Sequence, residues 1–220
     1  MINIYLLIIE LIICLIIMLT TYKLYKINGL YSYMIIAFII SNFMTLKVVS
    51  IYDFDINLGI IPFTTIFIAS NIIIQKEGSE EIKRISLILL ATSVITFSIL
   101  YLTSRLNSSN INLFTNKSYD NILIGSSRIY FANIATMLYT LLLNSKLYLY
   151  LKSIKNRIWI SNIFTNIIIQ FLASILFSIL AYTFIKEPIE IIQIIIMRYM
   201  LSLIAAILST INIYIGSKIE

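Results

Sequence analysis

The sequence has no histidine, and its 220 residues include one cysteine, two prolines and five glycines. Without histidine the chain lacks the commonest general base, proton shuttle and transition-metal ligand, which argues against a His-based triad or an intramembrane metalloenzyme. The single thiol, Cys14, excludes an intramolecular disulfide and a thiolate metal cluster. No G-x-x-x-x-G-K-[ST] stretch occurs, so the chain carries no phosphate-binding loop with which to hydrolyse ATP. Charge is scarce as well, at 12% of residues, and no expected helix presents two acids, a serine with a base, or a metal-ligand set. Glu10 alone does not suffice for general acid-base work, so the reading is not an enzyme, with no cofactor.

Apolar residues are what the chain has in abundance: 60% are hydrophobic and the mean hydropathy is +0.98. That composition belongs to an integral membrane protein. Little length remains outside the apolar runs, which leaves no room for a soluble nucleic-acid-binding domain. The chain reads as one all-α polytopic membrane domain, 1–220, with about seven transmembrane helices at 2–20, 30–50, 58–75, 85–103, 128–151, 159–184 and 189–215. The first run has no basic residue before it and no small-residue cleavage site, so it is expected to be a retained helix.

Basic residues fall unevenly between alternate connections. Lys23, Lys26, Lys76, Lys83, Arg84, Lys152, Lys155 and Arg157 lie in the first, third and fifth, and the tail adds Lys218. The other connections hold Arg105, Lys117 and Lys186, with Arg128 at an edge. By the positive-inside rule the amino terminus is outside and the carboxyl terminus cytoplasmic, in a plasma membrane. The segment 104–127 is the one long polar stretch and reads as a loop.

The informative residues are the polar ones inside apolar runs. The third run, NLGIIPFTTIFIASNIIIQKEG, carries Asn71 and Gln75 one helical turn apart. An amide without partners in hydrocarbon costs a few kcal/mol, so this face is expected to turn inward. Two readings compete there: a solute-lining face, or amides that glue one helix to another. The fifth run has Asn133, Thr136, Thr140 and Asn144 on one stripe, and the sixth has Asn162, Thr165 or Asn166, and Gln170. Asn42 sits in the second run, with Lys47 near its far end, where snorkelling to the headgroups is the plain alternative. Arg198 lies two to three turns inside the last run and needs a partner or water. Glu10 is either a buried functional acid or a group facing neighbouring helices. Ser86, Thr92, Ser93 and Thr96 are expected to bond back to their own helix.

With these positions laid out, the chain resembles the queuosine-precursor transporter family, also called the vitamin-uptake-transporter family, whose members import deazapurine precursors for tRNA modification. The resemblance rests on Asn42 with Lys47, on FIASNIIIQKEG, on Arg128-Ile129, on WISNIFTNIIIQ and on MRYMLSLIAAILST, taken in order and spacing. It implies a six-helix core preceded by an N-terminal helix. Departures from the family are concentrated at its acids. Ser70-Asn71 and Gln75 stand where the family has Thr-Asp and Glu, and Asn144 and Ala173 stand where it has Asp. Ser202 replaces a Lys, and Ser209-Thr210-Ile211 an Asp-Thr-Pro.

An amide can hydrogen-bond but cannot carry a proton or pair with an amine as a carboxylate does. The sequence is therefore read as a divergent importer of a small nucleobase-like solute. Asn42, Asn71, Gln75, Asn144, Asn162 and Gln170 are its candidate binding residues, and Lys47, Arg128 and Arg198 supply positive charge. Such a site tolerates an anionic group on the solute better than an amine. The family is distantly similar to the substrate-binding subunits of energy-coupling-factor importers, so the partners to weigh are an ATPase coupling module or a second copy of the chain. The alternative is a non-transporting membrane interaction protein that keeps the fold and has lost the site.

Overall fold

Apolar segments in lipid become helices because only a helix or a closed barrel satisfies its own backbone there. The computed structural model describes residues 2–51, 54–106, 117–119, 127–155 and 158–208. It is an all-α membrane protein, with four helices long and apolar enough to cross a bilayer among the described residues.

The first helix, α1 (Ile2–Met44), breaks at Lys26, whose φ of 52° and ψ of −137° are non-helical. The chain doubles back there, which makes two of the expected spans one hairpin of helices. Gly29 shows how close the arms come: a Cβ at that position would lie 2.0 Å from the carbonyl oxygen of Thr21. Farther along, Cys14 of the first arm and Tyr33 of the second face one cavity.

The expected span at 30–50 is corrected by the structure. α1 ends at Met44, and β1 (Val48–Ile51) pairs antiparallel with β2 (Phe54–Asn57), Val48 opposite Asn57 and Ile51 opposite Phe54. Hydropathy does not separate a short apolar strand from the last turns of a helix, whereas Val48, Val49 and Ile51 are β-branched and favour the strand. The hairpin returns the chain to the bundle at Gly59, whose carbonyl accepts from Ser41 Oγ at 2.8 Å.

α2 (Ile60–Glu77) is the centre of the molecule. Every residue from Ile60 to Ile74 is buried, polar and apolar alike. A helix enclosed on all sides carries no lipid-facing stripe, and it packs against α1 and each of the helices that follow it. α3 (Glu80–Ser104) begins after Gly78 and leaves Leu87, Val94, Ile95, Ile99 and Leu102 exposed, as a helix bordering acyl chains does. α4 (Ser127–Lys155), α5 (Ile158–Tyr182) and α6 (Pro188–Leu208) complete the bundle, with α5 lying against both α4 and α6. The last of the expected spans runs on to 215, and its residues 209–215 lie outside the described ones.

Consecutive connections fall at opposite ends. At one end Tyr31, just past the α1 turn, donates to Glu81 at the start of α3, and Lys83 and Lys146 flank one groove. At the other, Arg128 at the start of α4 donates to Leu180 O at 2.9 Å and Thr183 O at 2.6 Å at the end of α5, near the β-hairpin side. Lys23, Lys26, Lys83, Arg84 and Lys152 therefore gather at one end of the bundle, by the order of the elements that carry them.

Candidate solute-binding interior

Three helices that each carry two or three amides in an apolar background can hide them only by facing one another. Asn71 of α2 donates to Asn162 Oδ1 of α5 at 2.8 Å, and Asn144 of α4 donates to Asn71 Oδ1 at 2.7 Å and to Ser70 Oγ at 2.9 Å. Asn166 Nδ2 adds a bond to Asn162 Oδ1 at 3.2 Å. This knot ties α2, α4 and α5 together near the C-terminal half of α2. One turn farther, Gln75 donates to the hydroxyl of buried Tyr148.

A second polar cluster forms between α1 and α4. Asn133 donates to Asn42 Oδ1 at 2.9 Å, and Asn42 in turn donates to Phe38 O at 2.9 Å. Toward the β-hairpin, Asn57 donates to Thr45 O at 2.8 Å and accepts from Tyr182 OH at 3.0 Å. Asn57, Tyr148 and Tyr182 were not among the expected site residues: Asn57 and Tyr182 close β2 and α5, and Tyr148, in a run with Tyr150, reads as an interfacial aromatic although it is buried.

Between and beyond the clusters runs a set of buried polar atoms with no hydrogen-bond partner among the described residues. Asn133 Oδ1, Thr136 Oγ1 and Asn144 Oδ1 belong to α4; Asn162 Nδ2, Thr165 Oγ1, Asn166 Oδ1, both carboxamide atoms of Gln170, Ser174 Oγ and Ser178 Oγ belong to α5. Arg198 of α6 adds Nε and Nη1. Helical hydroxyls ordinarily bond back to a carbonyl one turn earlier, and Thr64, Ser86, Thr92, Thr96 and Thr140 do so. Thr136, Thr165, Ser174 and Ser178 do not, and neither does Ser93, against the expectation for α3.

The magnitude decides what this means. An orphaned buried polar group costs ~1–3 kcal/mol. Summed over these side chains, the cost would exceed the ~5–15 kcal/mol by which whole domains are stable. A site that supplies these atoms with water or a solute would recover that cost. On α5 they recur every fourth residue from Asn162 to Ser178, a file roughly 24 Å long at ~1.5 Å per residue. That is most of the ~30 Å hydrocarbon core. The repeat at 174 and 178 continues the 162, 166, 170 stripe and is the signal by which these two serines could have been found.

The remaining candidate residues lie elsewhere. Lys47 is exposed at the start of β1, away from the amides. Arg128 is half-buried and spends donors on the two carbonyls at the end of α5, which closes that helix rather than facing the knot. Arg198, 1% exposed, lies 3.8 Å from the centre of the Phe177 ring. Glu10 faces a cavity of about 200 Å³ between the arms of α1, and a groove of about 750 Å³ between α3 and α4 is walled by leucines with Lys83 and Lys146 beside it. Neither contains the amides. Asn71, Asn162, Asn166 and Gln170 have 0% exposure, so this conformation is closed over them and helices must part for a solute to enter.

A family model described as "Putative vitamin uptake transporter" matches residues 57–216, from the end of the β-hairpin through α6. No curated protein and no solved structure matches the chain.

Proposed function

The chain belongs to the vitamin uptake transporter family, and on that premise we propose that this membrane transporter carries a small nucleobase-like solute, a 7-deazapurine precursor of queuosine or a close relative, inward across the plasma membrane. The observation that carries the reading is Gln170. Its carboxamide is fully buried on the helix that touches α4 and α6, and both Nε2 and Oε1 lack partners among the described residues. A free carboxamide offers a donor and an acceptor side by side, the pattern that pairs two-pronged with the edge of a purine-like base. Asn162 Nδ2 and Asn166 Oδ1 on the same stripe, and Asn144 Oδ1 on α4, offer further single contacts.

Movement follows from the closed state. The solute enters when α4, α5 and α6 separate at one end, and the polar file then offers successive hydrogen bonds along the bundle. Since the chain holds no ATP-binding loop, the drive is a gradient, trapping of the solute after entry, or a separate ATPase module that uses this chain as its substrate-binding subunit. The gathering of basic side chains at the α1 turn and the α2–α3 connection supports a cytoplasmic position for that end, with the amino terminus outside.

The test is uptake of labelled 7-cyano-7-deazaguanine by cells that cannot make it. Wild-type protein restores accumulation, and Gln170→Ala lowers it about tenfold or more, the equivalent of a lost two-pronged contact at ~1–3 kcal/mol. Absence of uptake by the wild type, or uptake unchanged in both Gln170→Ala and Asn71→Ala, overturns the proposal. One observation favours a second reading: Asn71, Asn144, Asn162 and Asn166 bond to one another, as amides that only glue helices would. In that case the chain is a membrane interaction protein that keeps the fold, and the purified protein shows no saturable binding of any small solute.

A further inference from the structure

Arg198 is the one described cation buried inside the bundle, and the described residues contain nothing to balance it. The ion pairs among them, Lys83 with Glu80, Arg84 with Glu81 and Lys186 with Glu190, all involve exposed or part-exposed groups near helix starts, and none reaches Arg198. Tyr182, the polar ring closest to it in electrostatic effect, already donates its hydroxyl to Asn57. One face of the guanidinium is covered by the Phe177 ring at 3.8 Å, and two of its N–H groups, Nε and Nη1, are buried without an acceptor among the described residues. On either side of Phe177 along α5, the Ser174 and Ser178 hydroxyls are also without a partner among the described residues.

A structural role does not account for this arrangement. An uncompensated cation in a membrane interior costs several kcal/mol, and an apolar side chain of similar size would fill the place at no such cost. What the fork, its aromatic backing and two loose hydroxyls suit is a planar anion with two oxygens, which takes parallel N–H bonds from an arginine. Position narrows the choice further. Phe177 lies seven residues beyond Gln170 on α5, roughly 10 Å along the helix axis at ~1.5 Å per residue. A bicyclic base bearing a carboxylate reaches across that distance once a hydrogen bond is added at each end.

We infer that the transported solute is an acid, its ring edge held at Gln170 and its carboxylate received by Arg198 with Ser174 and Ser178. The inference rests on the reading of the interior as a solute site. It assigns the class of compound: carboxylated bases or ring carboxylates in preference to the matching amines and amides.

Two matched pairs test it on the full-length protein in lipid nanodiscs: 7-carboxy-7-deazaguanine against 7-aminomethyl-7-deazaguanine, and nicotinate against nicotinamide. Affinity is read by calorimetry, with thermal unfolding in sodium chloride and in sodium gluconate alongside. The expected result is tenfold or tighter binding of the acid in at least one pair. Arg198→Gln brings that ratio to about one, whereas Arg198→Lys keeps part of it, which a folding defect would not do. If the acid is preferred only among the nicotinates and no deazaguanine binds, the inference stands and the nucleobase reading falls. If deazaguanines bind without regard to charge, the solute-carrier reading stands and this inference is overturned. It is also overturned if the ratio survives in Arg198→Gln, if chloride alone stabilises the wild type to the same degree as the acid, or if neither acid binds.

Discussion

At the scale of single residues, the interior separates side chains that hold the fold from side chains that the fold must tolerate. Asn71 both donates and accepts across helix boundaries, so Asn71→Ala leaves Asn144 and Asn162 each short of a partner and should lower stability by ~1–3 kcal/mol. Arg198 behaves oppositely. With no described acid to lose and a desolvation cost to relieve, Arg198→Met should melt at the same temperature as the wild type or higher in the absence of solute, measured by thermal unfolding in nanodiscs. A fall of several degrees would mean that Arg198 is held by the protein itself. Asn71 and Arg198 could both be singled out from sequence as polar groups in apolar runs; that one is paired and the other is not could not, because pairing depends on which helix stands opposite.

Among the elements, the α1 hairpin depends on two residues close in sequence. Lys26 holds a φ of 52° and a ψ of −137°, a conformation that costs a side chain of its kind ~1–3 kcal/mol. Lys26→Gly removes that cost, and the expected outcome is a gain in unfolding free energy of about 1 kcal/mol. Gly29 is the converse case, since any Cβ there would press on the backbone of Thr21. Gly29→Ala should destabilise by ~1–3 kcal/mol as the arms are forced apart. Chemical denaturation of the two variants side by side checks the pair, and equal stabilities would show that the turn is looser than its geometry. The turn was legible from TYKLYKING as a polar interruption, but the β-hairpin that replaces the end of the second span was not. Its strands gain their ladder only by pairing with each other, and a run such as VVSI reads equally well as helix until the partner strand is known.

For the whole molecule, the alternation of connections puts the α2–α3 turn and the β-hairpin at opposite ends. In a Cys14→Ser background, Lys83→Cys should react with a membrane-impermeant maleimide only after cells are opened, and Asp55→Cys should react in intact cells. The reverse pattern would invert the orientation and, with it, the direction in which the bundle opens. Charge at the surface contributes little here: the exposed Lys83–Glu80 pair at 2.8 Å is of a kind worth ~0–1 kcal/mol, so its removal should leave unfolding unchanged within error.

What the sequence determined by itself is the solvent and the class of fold. Long apolar runs with few charges can satisfy their backbones only as helices in a bilayer, and period-four amides on separate runs can escape lipid only by turning toward one another. The tertiary structure alone decided the rest. It made α2 the enclosed centre, joined Asn71, Asn144 and Asn162 into one hydrogen-bonded knot, sent Arg128 to the end of α5, and left the Gln170 carboxamide and Nε and Nη1 of Arg198 without hydrogen-bond partners among the described residues. The physical reason is that a hydrogen bond between helices is a relation between two positions far apart in the chain, fixed by the packing of the helices that carry them. A single run read in isolation records the demand for a partner and never its identity.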